Sequence, residues 1–164
     1  MVRSSCIISA LCLFCFSCTP TLSTERETNI SNKLNLQGYY YAEITRETDW
    51  GTKSIFYRVY VLYSNGVINY NTVEVSNIER IPPLILEYQV KYPNIPSSWG
   101  VYKIKNNDIM VDKWYPGGFA PSIIMKGSIL NDTTFMLQLD KHTIDTYHFK
   151  YMSPKPDSTN QFIK

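Results

Sequence analysis

The chain has 164 residues, enough for one domain, with 18% charged and 14% aromatic residues, 13 of them tyrosine. The net charge of +2 comes with no lysine or arginine run, which excludes the basic stripe of a nucleic-acid-binding protein. The cysteines are Cys6, Cys12, Cys15 and Cys18, so everything after residue 18 lacks a disulfide and a cysteine nucleophile.

Residues 1–17 have the layout of a signal peptide. Arg3 gives a positive start, Ile7 to Phe16 is an apolar run too short to span a bilayer, and small Ser17 precedes Cys18. Cys15-Phe16-Ser17-Cys18 resembles a bacterial lipoprotein signal. That resemblance implies cleavage before Cys18, a diacylglycerol on its thiol and attachment to a membrane through the acyl chains. By the same resemblance to Gram-negative lipoproteins, Thr19 in place of Asp implies outer-membrane sorting, on either face of that membrane. The alternative is an ordinary signal peptide, cleaved without lipidation. Residues 18–34, rich in Ser, Thr, Asn and charge, read as a flexible tether.

A domain is expected over residues 35–152. Leu36 to Ile44 opens it as a strand. Ser54 to Tyr63 follows, with Tyr57, Val59, Val61 and Tyr63 on an unbroken apolar face and Phe56, Arg58, Tyr60 and Leu62 on a mixed one. The apolar face is expected inward. Asn65-Gly66 predicts a two-residue hairpin turn, which sets Tyr63 opposite Ile68 and Val61 opposite Tyr70. Residues 76–98, with four prolines, predict a short helix opened near Pro83 or irregular cover over one barrel end, the alternative being an edge strand.

Trp99 to Trp114 reads as a β-hairpin turning at Asn106-Asn107, with Tyr102 opposite Val111, Ile104 opposite Ile109 and Lys105 opposite Asp108. A breaker-rich loop holding Phe119 follows. A third hairpin turns around Asn131-Asp132, and Ile144 to Tyr151 is the last strand. Residues 153–164 read as a polar tail. About eight strands joined by hairpins predict an all-β fold, an antiparallel up-and-down β-barrel, with a two-sheet β-sandwich as the alternative.

Gly38-Tyr39-Tyr40, Tyr63-Ser64-Asn65-Gly66, Trp99 to Ile104 and Asn131 to Phe135 together resemble the small lipocalin-like lipoproteins of Gram-negative bacteria. Tyr40 stands where lipocalins carry a tryptophan. The resemblance implies a monomeric barrel that holds a small apolar or amphipathic molecule.

No catalytic constellation is expected. His142 and His148 are separated by about 20 Å of strand, too far for one metal, and no serine sits in a nucleophile elbow. Neither a cofactor nor a metal is expected. The candidate ligand-binding residues are Tyr40, Tyr57, Tyr63, Tyr70, Tyr102 and Tyr147 in the interior, with Trp114 and Phe119 at the mouth. The other reading is a barrel filled by these same rings, which docks another envelope protein through its loops.

Overall fold

A computed structural model describes residues 22–27, 32–47, 51–92, 95–115 and 122–163. The leader, Cys18 and Phe119 lie outside the described residues. Eight strands run in chain order: β1 (Gly38–Glu47), β2 (Lys53–Leu62), β3 (Val67–Glu74), β4 (Trp99–Lys105), β5 (Asp108–Trp114), β6 (Ser122–Asn131), β7 (Thr134–Gln138) and β8 (Ile144–Tyr151). Each pairs antiparallel with the next, and β8 returns to β1, so the sheet closes as an up-and-down barrel and the sandwich does not form. Closure leaves no free sheet edge.

The β4–β5 hairpin has the register read from its residues: Tyr102 faces Val111, Ile104 faces Ile109 and Lys105 faces Asp108. Its turn takes a left-handed φ of 57° at Asn106 alone. The β2–β3 hairpin differs by one residue. Tyr63 N donates to Val67 O (3.0 Å) and Gly66 N to Tyr63 O (3.0 Å), so the loop is three residues, Ser64 to Gly66, with Gly66 at φ 79°. The extra loop residue sets Leu62 opposite Ile68 and Tyr60 opposite Tyr70.

A one-residue change of register exchanges the faces of a strand. The interior face of β2 is therefore the mixed one, with Tyr60 and Leu62 buried in the barrel core. Tyr57 and Tyr63, expected inside, point outward. They are buried nonetheless, because a second layer covers that wall. The helix α1 (Ile81–Lys91) begins with proline in its first turn and lays Ile81 and Ile85 against the same outer cluster as Tyr57, Val61, Tyr63 and Val73. The described residues of the stretch 76–98 thus cover the side of the barrel and not its end.

Residues 22–27 and 153–163 join this outer layer. Phe162 packs on Trp114 (ring centres 5.7 Å apart), and Lys155 Nζ donates to Leu36 O (2.5 Å) and Leu62 O (2.6 Å). On the other side, Leu22 packs into the outer cluster and Thr24 N donates to Asp112 Oδ2 (2.7 Å). Leu34 and Leu36 then close one end of the barrel, packed against the interior core, and Asn35 N donates to Asp132 O (2.8 Å). This closed end is the floor. The other end, where β1, β3, β5 and β7 finish, is the mouth.

Candidate functional site

The floor half of the interior is filled by rings. Tyr40, Tyr60, Tyr102, Phe135 and Tyr147 are all essentially inaccessible. Phe135 stacks on Tyr147 at 5.0 Å, Tyr40 lies 5.0 Å from Phe135, and Tyr60 meets Tyr147 edge-on at 5.1 Å. These spacings are those of packed aromatic pairs. Each hydroxyl finds a partner as its ring is buried. Tyr40 donates to Asp132 O (2.8 Å), Tyr102 to Tyr63 O (2.8 Å), Tyr147 to Asp145 Oδ2 (3.3 Å), and Tyr60 points at Met125 Sδ (3.9 Å). Burial drives the pKa of all four upward, so they stay neutral and serve as core.

Above them the interior becomes charged. Arg58 on β2, inward between Ala42 and Thr72 on the neighbouring strands, forms an ion pair with Asp145 on β8. Lys113 on β5 lies opposite Gly100, where the absent side chain leaves room for the lysine stem. Its ammonium rests over the Tyr70 ring, 3.9 Å from the centroid, and Tyr70 Oη meets Thr72 Oγ1 at 2.9 Å. Ile123 and Leu139 are half-buried and pack on the core here, while Thr72 is exposed although its strand position faces inward. These residues make up the mouth end of the interior, the vestibule, which holds two cations and one carboxylate.

Lys113 is only 8% exposed. Among the described residues no carboxylate pairs with it. Burial, and then the neighbouring Arg58 charge, lower its pKa from the ordinary 10.5 to about 8. Asp145 is committed to Arg58 and Tyr147. Among the described residues, Lys113 therefore brings a positive charge into the vestibule with only the face of Tyr70 to offset it.

Of the seven candidate ligand residues that the structure describes, Tyr70 alone lies in the vestibule. Tyr40, Tyr102 and Tyr147 are in the floor core. Tyr57, whose hydroxyl donates to Glu43 Oε2 (3.0 Å), and Tyr63, which accepts from Gln89 Nε2 (3.1 Å), are on the outer wall. Trp114, expected at the mouth, is also on the outer wall beneath Phe162. Lys113 and Asp145 were legible as inward from parity: Lys113 follows Ile109 and Val111, and Asp145 precedes Tyr147.

Outside the barrel, a groove of about 510 Å³ on the outer wall near the β4–β5 turn is lined by Lys103, Lys105, Lys126, Met110, Glu27 and Asp108, among others. Among the described residues no three His, Cys, Asp or Glu side chains converge on a metal position, and no helix is long and apolar enough to cross a membrane. The class of molecule so defined is a closed eight-stranded antiparallel barrel with an aromatic floor and a charged mouth. Compared with protein-family models, curated proteins and solved structures, the chain matches none.

Proposed function

We propose that the chain is a lipid-anchored envelope protein, akin to the lipocalin-like lipoproteins of Gram-negative bacteria. In this reading it is held in the outer membrane through acylated Cys18 and binds a small amphipathic molecule with an acidic head at the mouth of its barrel. Lys113 carries the reading. A buried ammonium without a counter-charge is unfavourable, and a ligand carboxylate or phosphate between Lys113 and Arg58 would offset it. The half-buried Ile123 and Leu139 offer apolar contact beside that head. Because rings fill the floor, the ligand is small or only partly enclosed. No reaction is assigned to it.

Native mass spectrometry of the chain extracted from its own membranes tests both parts. The expected spectrum carries the mass of the acyl groups and a second species heavier by one acidic molecule. Lys113→Met should keep the acyl mass and the fold, and weaken the complex roughly ten- to a hundredfold, the value of a charge-assisted hydrogen bond. An acylated chain free of any small molecule would overturn the ligand reading.

A second reading, a filled barrel docked on another envelope protein, is favoured by the groove around Met110. Its three lysines and apolar floor suit an acidic, partly apolar segment. In that case the same extract yields a protein complex in place of a small-molecule adduct.

A further inference from the structure

The first described residues run along the barrel in an unexpected direction. β1 rises from the floor, so a free tether would hang the barrel by its floor. The chain does otherwise. Leu22 packs in the outer cluster that also holds Trp114, and Ser23 Oγ lies 3.2 Å from Ser122 Oγ, where β6 leaves the mouth. Thr24 N then donates to Asp112 Oδ2 (2.7 Å), and Glu27 pairs with Lys103 (3.1 Å) nearer the floor. The backbone carbonyl of Glu27 reaches the β2–β3 turn, where it would meet a side chain placed on Gly66 at 2.2 Å. Leu34 completes the path by plugging the floor. Residues 22–27 are thus a strap laid from mouth to floor.

The strap is seated by a buried charge. Asp112 is fully inaccessible, and its Oδ2 is bonded to the Thr24 amide. Releasing the strap would strip that carboxylate of this partner.

We infer that the strap turns the mouth of the barrel toward the membrane that holds Cys18, so that the vestibule faces a lipid surface. This inference rests on the reading of Cys18 as the acylated anchor. Leu22 is four residues from Cys18, and four residues of extended chain reach at most roughly 14 Å. The floor lies a strand length further away: β5, beside which the strap runs, has seven residues, about 23 Å along the strand. The mouth can touch the bilayer and the floor cannot while the strap is seated. The mouth is also furnished for it. Ile55, Tyr115, Ile124 and Ile144, near the mouth ends of β2, β5, β6 and β8, are exposed apolar side chains, against Leu130 and Tyr151 at the floor ends of β6 and β8. Such side chains enter the headgroup region of a bilayer. A ligand at Lys113 would then exchange with the membrane directly.

The mature chain has no thiol besides the anchor, so single cysteines can report depth. Lys141→Cys, in the mouth connection between β7 and β8, and Asp132→Cys, in the floor turn between β6 and β7, would each carry a bimane label on the acylated full chain. The proteins would be placed in phosphatidylethanolamine and phosphatidylglycerol vesicles containing a nitroxide-headgroup lipid. The label at 141 should lose most of its emission and that at 132 almost none. A flexible Gly-Ser insertion after Thr19 should abolish the difference. Equal quenching, or stronger quenching at 132, overturns the orientation while leaving the anchor standing. A difference that survives the insertion shows that the strap does not set it. A chain whose intact mass lacks acyl groups overturns the anchor reading and this inference together.

Discussion

Lys113 brings an unbalanced charge into the barrel, and its behaviour with pH follows from its burial. The folded chain holds its proton with a pKa of about 8, against 10.5 when exposed. Below pH 8 both states carry the proton, and folding bears the full cost of burying the charge, on the order of 3 kcal/mol. Between about 8 and 10.5 the unfolded chain binds more protons than the folded one, so stability contributed by this site rises with pH. Urea unfolding at pH 7 should find Lys113→Met more stable than wild type by about 1–3 kcal/mol, with the advantage shrinking as pH approaches 10. An unchanged difference across that range would mean the ammonium is not desolvated as described. The buried tyrosines act in the opposite sense. Their raised pKa values leave the folded state protonated where the unfolded state has ionised, so stability falls above pH 10. At this scale the sequence showed inward parity at Lys113 and Asp145, yet the partners they meet, the Tyr70 ring for Lys113 and Arg58 for Asp145, depended on how the closed sheet brings the strands together in space. Arg58 was legible only as a charge on a mixed strand face.

Among the elements, the β2–β3 hairpin decides most. Asn65-Gly66 announced the turn, and Tyr57 to Tyr63 announced a strand, but the number of loop residues was hidden. Two residues or three satisfy the same dipeptide, and the choice exchanges the two faces. Apolarity did not settle it, because α1 and the tail make the outer face of β2 as dry as the inner one. Gly66 is the residue on which the three-residue loop turns. At φ 79° an alanine is strained by about 1–2 kcal/mol, and its Cβ would strike the Glu27 carbonyl. Gly66→Ala should therefore lower stability by at least that amount and speed amide exchange at Thr24, whose bond to Asp112 holds the strap; slowed or unaltered exchange at Thr24 would separate the turn from the strap. The β4–β5 hairpin shows the contrasting case. Its register was readable because only a two-residue turn puts Tyr102, Ile104, Ile109 and Val111 on one side, as observed.

For the molecule as a whole, stability rests on three segments drawn over a closed sheet. The strap crosses one wall, α1 another, and the tail returns across the floor, where Lys155 bridges the carbonyls of Leu36 and Leu62 and lies 4.6 Å from the centre of the Tyr63 ring. Lys155→Met keeps the stem and removes both hydrogen bonds. It should cost about 2 kcal/mol, read as a drop in the unfolding midpoint of several degrees, and expose Trp114 to quenchers as the tail loosens. No change in either would show the tail to be a passenger.

Alternating residues along the chain, and turn-forming pairs between them, were enough to determine that this protein is made of antiparallel neighbours joined by hairpins, because pleat and hairpin geometry act over a few residues. That the neighbours close into a barrel, which side of β2 faces in, which tyrosines pack and which line the mouth, and that residues 22–27 and the tail are seated on the wall were decided only by the folded whole. Those outcomes depend on what else is available to cover each face, and a strand cannot carry that information in its own period of two.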